Sequence, residues 1–151
     1  MPDSDQPSTK RMRLLLVDDE ESYVNVLSKR MTKRNFEVSS AFSGAQALRI
    51  LRKQDFDAVV LDLKMEDMDG IEVLKILKTM APELPVIMLT GHATVETAIE
   101  GMKLGAFDYL MKPCDIDQLM AKVQEAKEKK IKHEEKIKQA RINEIVMRHG
   151  T

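Results

Sequence analysis

One cysteine, Cys114, in 151 residues leaves no partner for an internal disulfide and excludes a disulfide-framework scaffold. No apolar run approaches the roughly 20 residues of a membrane span, and none follows a basic start as in a secretory signal. A cytoplasmic setting without membrane attachment is therefore expected. Charge of one sign is also missing: 24 basic side chains face 25 acidic ones, a formal charge of -1, so nothing global advertises nucleic acid or an anionic membrane. No internal repeat is visible. What is present is ordinary globular usage, 43% apolar and 32% charged, enough to bury one core and too short for separate cofactor and substrate lobes.

Charge is nonetheless unevenly spread. Residues 1–120 carry 15 basic and 20 acidic side chains, against 9 and 5 in residues 121–151. The polar opening MPDSDQPSTK, residues 1–10, has two prolines and no apolar period, and a disordered leader is predicted there. Residues 11–129 then read as one domain and 130–151 as a charged, helical C-terminal extension.

Within that domain, short apolar runs alternate with amphipathic stretches five times, the pattern of a parallel α/β sheet. The runs are Leu14 to Val17, Glu37 to Ala41, Ala58 to Leu61, Pro85 to Leu89 and Phe107 to Met111. All but the second are continuously apolar or nearly so, as strands covered on both faces should be. Ser39 and Ser40 mark the second as the weak run and an edge candidate. Between the runs, Val24, Leu27 and Met31 share one helical stripe, as do Val95, Ile99 and Met102, and Ile116, Leu119 and Val123. Asp69-Gly70 breaks the chain before a helix, and Gly101 and Gly105 flank the last helix-to-strand turn. Five such units fit a doubly wound sheet, whose ligands bind beyond the carboxyl ends of the strands.

Those ends carry Asp18, Asp19 and Glu20 after the first run, Asp62 after the third, Thr90-Gly91 after the fourth and Lys112-Pro113 after the fifth. Singly, each has a plain reading: Asp18 and Asp19 as helix caps, Asp62 and Thr90-Gly91 as turn formers, Lys112 as a solvated lysine. Together they do not, because three carboxylates on one rim repel by about 4 kcal/mol per close pair at 4 Å and an effective dielectric near 20. A cation relieves that repulsion, and magnesium suits hard oxygen ligands and a substrate phosphate. An aspartate so placed can attack phosphorus, with Lys112, Thr90 and Gly91 supplying charge, a hydroxyl and backbone N–H groups for the transferred oxygens.

The segments LLLVDDE, VVLDLKMEDMDG, PVIMLTGHAT and GAFDYLMKP, in this order and spacing, resemble the receiver domain of two-component response regulators over roughly Arg11 to Lys129. The resemblance implies a flavodoxin-like, five-stranded parallel sheet of order 2-1-3-4-5. It implies that Asp62 accepts a phosphoryl group from a phosphohistidine of a sensor histidine kinase or histidine phosphotransfer protein. Asp19 and Asp62 are then the magnesium ligands, Asp18 acts largely through water, and the backbone carbonyl of Lys64 adds an oxygen. Lys112 becomes the phosphate-binding lysine, preceding a cis bond to Pro113. Thr90 and Tyr109 become the switch pair, and the fourth helix, fifth strand and fifth helix the output face. The sequence departs from many receivers at Glu66, where proline is common, so a more mobile or differently ordered loop is expected. Lys64 and His92 hold two positions that tune hydrolysis of the acyl phosphate across the family.

The run from Thr90 to Pro113 is similar to receivers of NtrC-type activators, yet the sequence contains no G-x-x-x-x-G-K-[ST] loop. From Asp115 to Val146 a continuous helix of about 48 Å is allowed. Its seam of Ile131, Ile137, Ile142 and Ile145 is broken by charged residues in the best heptad register, so a solvated helix is favoured over a dimerising one. Direct nucleic-acid binding is the least favoured reading, because KEKKIKHEEKIK lacks aromatics and contains its own acids. Dimerisation on phosphorylation stays open. The rivals are an aspartate-nucleophile phosphatase, which would need D-x-D-x-T after the first strand, a flavodoxin-like cofactor binder, whose phosphate three acids would repel, and a receiver regulated without phosphate. The expected function is a phosphoacceptor signalling domain rather than an enzyme with its own metabolic substrate.

Overall fold

The computed structural model describes residues 11–91 and 94–149. The proposed leader, residues 1–10, and His92 lie outside the described residues. Five strands, β1 (Met12–Val17), β2 (Phe36–Ala41), β3 (Ala58–Leu61), β4 (Val86–Thr90) and β5 (Asp108–Met111), alternate with five helices. The helices are α1 (Glu21–Lys33), α2 (Gly44–Lys53), α3 (Gly70–Met80), α4 (Val95–Lys103) and α5 (Ile116–His149). All strand pairs are parallel, in the order β2-β1-β3-β4-β5. The five strand positions and the sheet order are those read from the sequence, displaced by a residue or so at the ends. Ser39 and Ser40 do sit on an edge strand. β5 is the other edge, and of its four residues only Leu110 is buried, so the expectation of burial on both faces fails there.

Alternation along the strands builds two apolar layers, because successive side chains point to opposite faces. Leu15, Val17, Val59, Leu61, Val86 and Met88 face one layer, with Ala47 and Leu48 of α2 and Val73, Leu74 and Leu77 of α3. Leu14, Leu16, Ala58, Val60, Ile87, Leu89 and Leu110 face the other, with Val24 and Met31 of α1 and Leu119 and Val123 of α5. Each fully buried aliphatic side chain contributes roughly 1.5–3 kcal/mol of transfer free energy.

The α4 stripe is a correction. Val95, Ile99 and Met102 do share one face, but that face is turned to solvent, with Val95 75% exposed. The helix meets the sheet through Ala98 and Gly101 instead. A Cβ on Gly101 would collide with the Met88 side chain rising from β4, so the glycine is the recess that admits Met88. Gly101 thus belongs to the packed face of α4, while Gly105, at φ 105°, makes the turn into β5.

α5 runs unbroken for 34 residues, about 51 Å at 1.5 Å per residue. Its first part packs through Leu119, Val123 and Ala126, whereas every residue from 131 to 149 is exposed. No helix among the described residues is long and apolar enough to cross a membrane.

Candidate functional site

Strand parity explains why the rim residues converge. Asp18 follows Leu14 and Leu16 in the row that faces α1 and α5, Asp62 follows Ala58 and Val60, and Lys112 follows Leu110. The pairings continue one residue past the strands: Asp18 N–H donates to Ala41 O at 3.1 Å, Asp62 N–H to Val17 O at 2.9 Å and Lys112 N–H to Thr90 O at 3.0 Å. Asp18 and Asp62 consequently stand side by side on neighbouring strands, both buried, with Lys112 reaching them from β5 across the β4 end.

One carboxylate oxygen from each of Asp18, Asp19 and Asp62 lies within 4.8 Å of the others. Lys112 Nζ is 2.5 Å from Asp18 Oδ2, 3.3 Å from Glu20 Oε1 and 3.9 Å from Asp62 Oδ2. Its side chain is only 13% exposed. The capping reading of Asp18 and Asp19 is not realised, since α1 has no side-chain cap. Asp18 Oδ1 instead accepts from Glu20 N–H at 3.0 Å, and Asp19 Oδ2 accepts from Glu66 N–H, also at 3.0 Å. Burial, and then the charge of Asp62, push the Asp18 carboxyl above its ordinary value against the opposing pull of Lys112 and Glu20 N–H. For Lys112, burial disfavours the charge, but the Asp18 hydrogen bond and the charges of Asp18 and Asp62 outweigh it and hold the ammonium above its usual pKa. Lys112 is a permanent cation at neutral pH.

The β3–α3 loop is ordered by its own polar contacts despite Glu66. Asp67 Oδ1 and Oδ2 accept from Gly44 N–H and Ala45 N–H at 3.1 Å each, and Ser43 caps the same helix through Gln46 N–H. The first three N–H groups of α2 are thereby satisfied from two elements. Gly70 N–H donates to Leu63 O at 2.9 Å, and a Cβ on Gly70 would strike Asp62 O and lie 2.5 Å from Leu63 Cα. Only glycine permits α3 to start so close to the acceptor strand.

Of the remaining sequence candidates, Lys64 is exposed, its N–H 3.5 Å from Asp62 Oδ1. Thr90 is fully buried beside the rim. Gly91 has room around it, with Lys112 Cβ at 3.9 Å from an added Cβ. Tyr109 is 39% exposed on the edge strand β5. The Lys112-Pro113 peptide is cis, as expected. Two residues went unassigned in the sequence reading. Glu20 pairs with Lys112, and Tyr23, in the first turn of α1, puts its ring centroid 4.3 Å from Lys112 Nζ. The available signal for Tyr23 was its place one helical turn beyond three acids, on the stripe that also holds Leu27.

An acidic triad at strand ends with a part-buried lysine is an arrangement suited to accepting a phosphoryl group, and comparison with known proteins agrees. Residues 14–124 match the family described as response regulator receiver domain, and the chain belongs to that family. It is 41% identical over 119 residues to the transcriptional regulatory protein ZraR of Klebsiella oxytoca, covering 79% of this chain and 27% of that one. It is 41% identical over 114 residues to the regulatory protein AtoC of Escherichia coli K12, covering 76% and 25%. The chain thus spans about a quarter of the length of these relatives. Among solved structures, a CheY-like receiver domain protein from Methanospirillum hungatei superposes with a TM-score of 0.79 at 27% identity, over 82% of this chain and 99% of that one. The receiver domain of NtrX from Brucella abortus gives 0.72 at 32% identity, over 76% and 98%.

Proposed function

We propose that this receiver takes a phosphoryl group onto Asp62 from a phosphohistidine of a sensor histidine kinase or histidine phosphotransfer protein. The observation that carries this reading is the buried Asp62 carboxylate with Lys112 Nζ at 3.9 Å and two further carboxylates within 4.8 Å. An Asp62 oxygen attacks phosphorus in line with the leaving imidazole nitrogen. The new O–P bond makes an acyl phosphate, the N–P bond breaks, and the imidazole keeps the electron pair. Lys112 supplies a fixed positive charge for the transferred oxygens. Thr90 and the Gly91 backbone stand on the adjacent strand end for the same oxygens.

The donor set fits magnesium: hard carboxylate oxygens, clustered and under-neutralised by one lysine. Asp19 and Asp62 would hold it, with Asp18 through water and the Lys64 carbonyl as a further oxygen, and when bound it neutralises charge on the attacked phosphoryl group.

The domain proper is taken as 11–129, residues 130–151 as a helical extension and residues 1–10 as a leader. The phosphoryl group biases a two-state equilibrium. Thr90 turns toward the new charge, the exposed Tyr109 ring favours an inward position, and the face of α4, β5 and α5 changes shape. Val95, Ile99 and Met102 already give that face apolar character for a downstream partner, which includes a second copy of the chain. The proposed role is that of a cytoplasmic relay component with self-phosphorylating and autodephosphorylating chemistry only, without a metabolic substrate, membrane attachment or direct contact with nucleic acid.

Incubation with acetyl phosphate, with and without magnesium, tests this by intact mass. One acid-stable, base-labile phosphoryl group that needs magnesium and is lost in Asp62→Asn is the expected result. Unchanged labelling in the mutant, or sustained turnover of a generic phosphomonoester, would overturn it, the latter in favour of a phosphatase.

A further inference from the structure

Lysine is a point charge on a flexible four-carbon stem, with rotamer entropy to lose before it can serve a transition state. Something must hold Lys112. Its carboxylate partners are poor anchors for that purpose, because Asp18 and Asp62 belong to the site whose charge changes when metal and phosphoryl group arrive. Glu20, at 3.3 Å, is an exposed side chain on a surface loop. Among the described residues, the ring of Tyr23 is a neighbour of the ammonium that neither ionises at neutral pH nor ligates metal.

Its geometry suits the task. The Nζ-to-centroid distance of 4.3 Å is well inside the roughly 6 Å at which a cation is attracted to a ring face. Tyr23 is half-buried on α1, which packs on the layer that ends in Asp18, Asp62 and Lys112. It lines a narrow cleft with Leu16, Asp18, Leu27, Val60, Asp62 and Leu89, so the ring is braced by strand residues rather than free in solvent.

Resting on the reading of Asp62 as phosphoryl acceptor, we propose that Tyr23 is a positioning residue for phosphoryl transfer, its ring face holding the Lys112 ammonium against the rim while the carboxylate partners are taken up by other ligands. The ring has no role in the chemistry itself. It keeps Nζ within reach of the oxygens that Asp62 acquires, so its loss slows acceptance, and the phenol hydroxyl is dispensable.

The test is the initial rate of labelling by acetyl phosphate and magnesium in the full chain, for the natural protein and Tyr23→Phe, Tyr23→Leu and Tyr23→Met. Two ring-less variants are used so that loss of fold in one does not decide the matter, and thermal midpoints are recorded for all. Tyr23→Phe should label at the natural rate, while the folded ring-less variants should label about three- to tenfold more slowly. In NMR spectra, the Lys112 Cε protons should be moved upfield by the ring current in the natural protein and in Tyr23→Phe, and released in Tyr23→Leu and Tyr23→Met. Labelling of Asp62 at equal rates in all four proteins would overturn the role of Tyr23 and leave the acceptor assignment standing. Equal slowing in Tyr23→Phe and Tyr23→Leu would overturn it too, by assigning the effect to the hydroxyl. Failure of the natural protein to label Asp62 would instead remove the acceptor reading and this proposal with it.

Discussion

Asp62→Asn should stabilise the metal-free protein. The three carboxylates have oxygens within 4.8 Å of one another, so at an effective dielectric near 20 Asp62 is repelled by Asp18 and Asp19 by at least about 3.5 kcal/mol each. Its attraction to Lys112 at 3.9 Å returns about 4 kcal/mol on the same scale. Two repulsions exceed one attraction by about 3 kcal/mol, and solvent at the half-open Asp19 side reduces the difference to roughly 1–3 kcal/mol. Asparagine keeps an oxygen for Lys64 N–H and nearly the same shape. For a chain of this size each kcal/mol is worth about 2–4 °C in Tm. The assay is calorimetric melting at pH 7 and low ionic strength, in chelator and again with magnesium. The mutant should melt higher in chelator, and the gap should narrow in salt. With magnesium the natural protein should gain more than the mutant, because it has the extra ligand. A mutant that melts at or below the natural protein in chelator would refute the charge arithmetic, and with it the claim that this rim is held in electrostatic strain.

Gly70→Ala places a Cβ against Asp62 O and Leu63 Cα and should cost at least about 1–3 kcal/mol by denaturant melt, while Gly91→Ala, which meets only Lys112 Cβ at 3.9 Å, should leave stability unchanged. Asp67→Ala should cost about 1 kcal/mol at pH 7, less if solvent screens the exposed carboxylate. Slight burial raises the pKa of Asp67, but the Ala45 and Gly44 N–H groups outweigh it and hold it below 3.8. Its contribution is therefore complete above that value and fades as pH falls through the lower folded value, so melts of mutant and natural protein should converge in that acidic window. Deleting residues 134–149, all exposed, should leave the midpoint of the domain unchanged; a clear fall would show that the projecting helix is coupled to the core.

Strand parity made most of the rim legible before any coordinates. Apolar runs ending in Asp18, Asp62 and Lys112 define where polar residues must emerge, and a parallel sheet brings those ends to one side. Tyr23 was not legible, because its partner Lys112 is 89 positions away and an amphipathic period assigns the ring to the core without saying what lies beside its face. Asp67 was hidden for a similar reason. Its partners are backbone N–H groups at the start of α2, and a sequence carries no mark for main-chain donors.

The α4 stripe shows how a correct period can point the wrong way. Val95, Ile99 and Met102 recur at helical spacing, and a moment built on them selects the solvent side. The packed side is made of Ala98 and Gly101, nearly invisible on a hydrophobicity scale, because the sheet supplies the bulk through Met88. A helix held by two small residues buries little area of its own, roughly 25 cal/mol for each Å² removed from water, and so is weakly anchored compared with α3, which buries Ile71, Val73, Leu74 and Leu77. Beside it, β5 offers only Leu110 to the core. α4 and β5, two elements of the proposed output face, thus bury less apolar side chain than α3, and a change of charge at the rim has less packing energy to overcome in them than it would in α3.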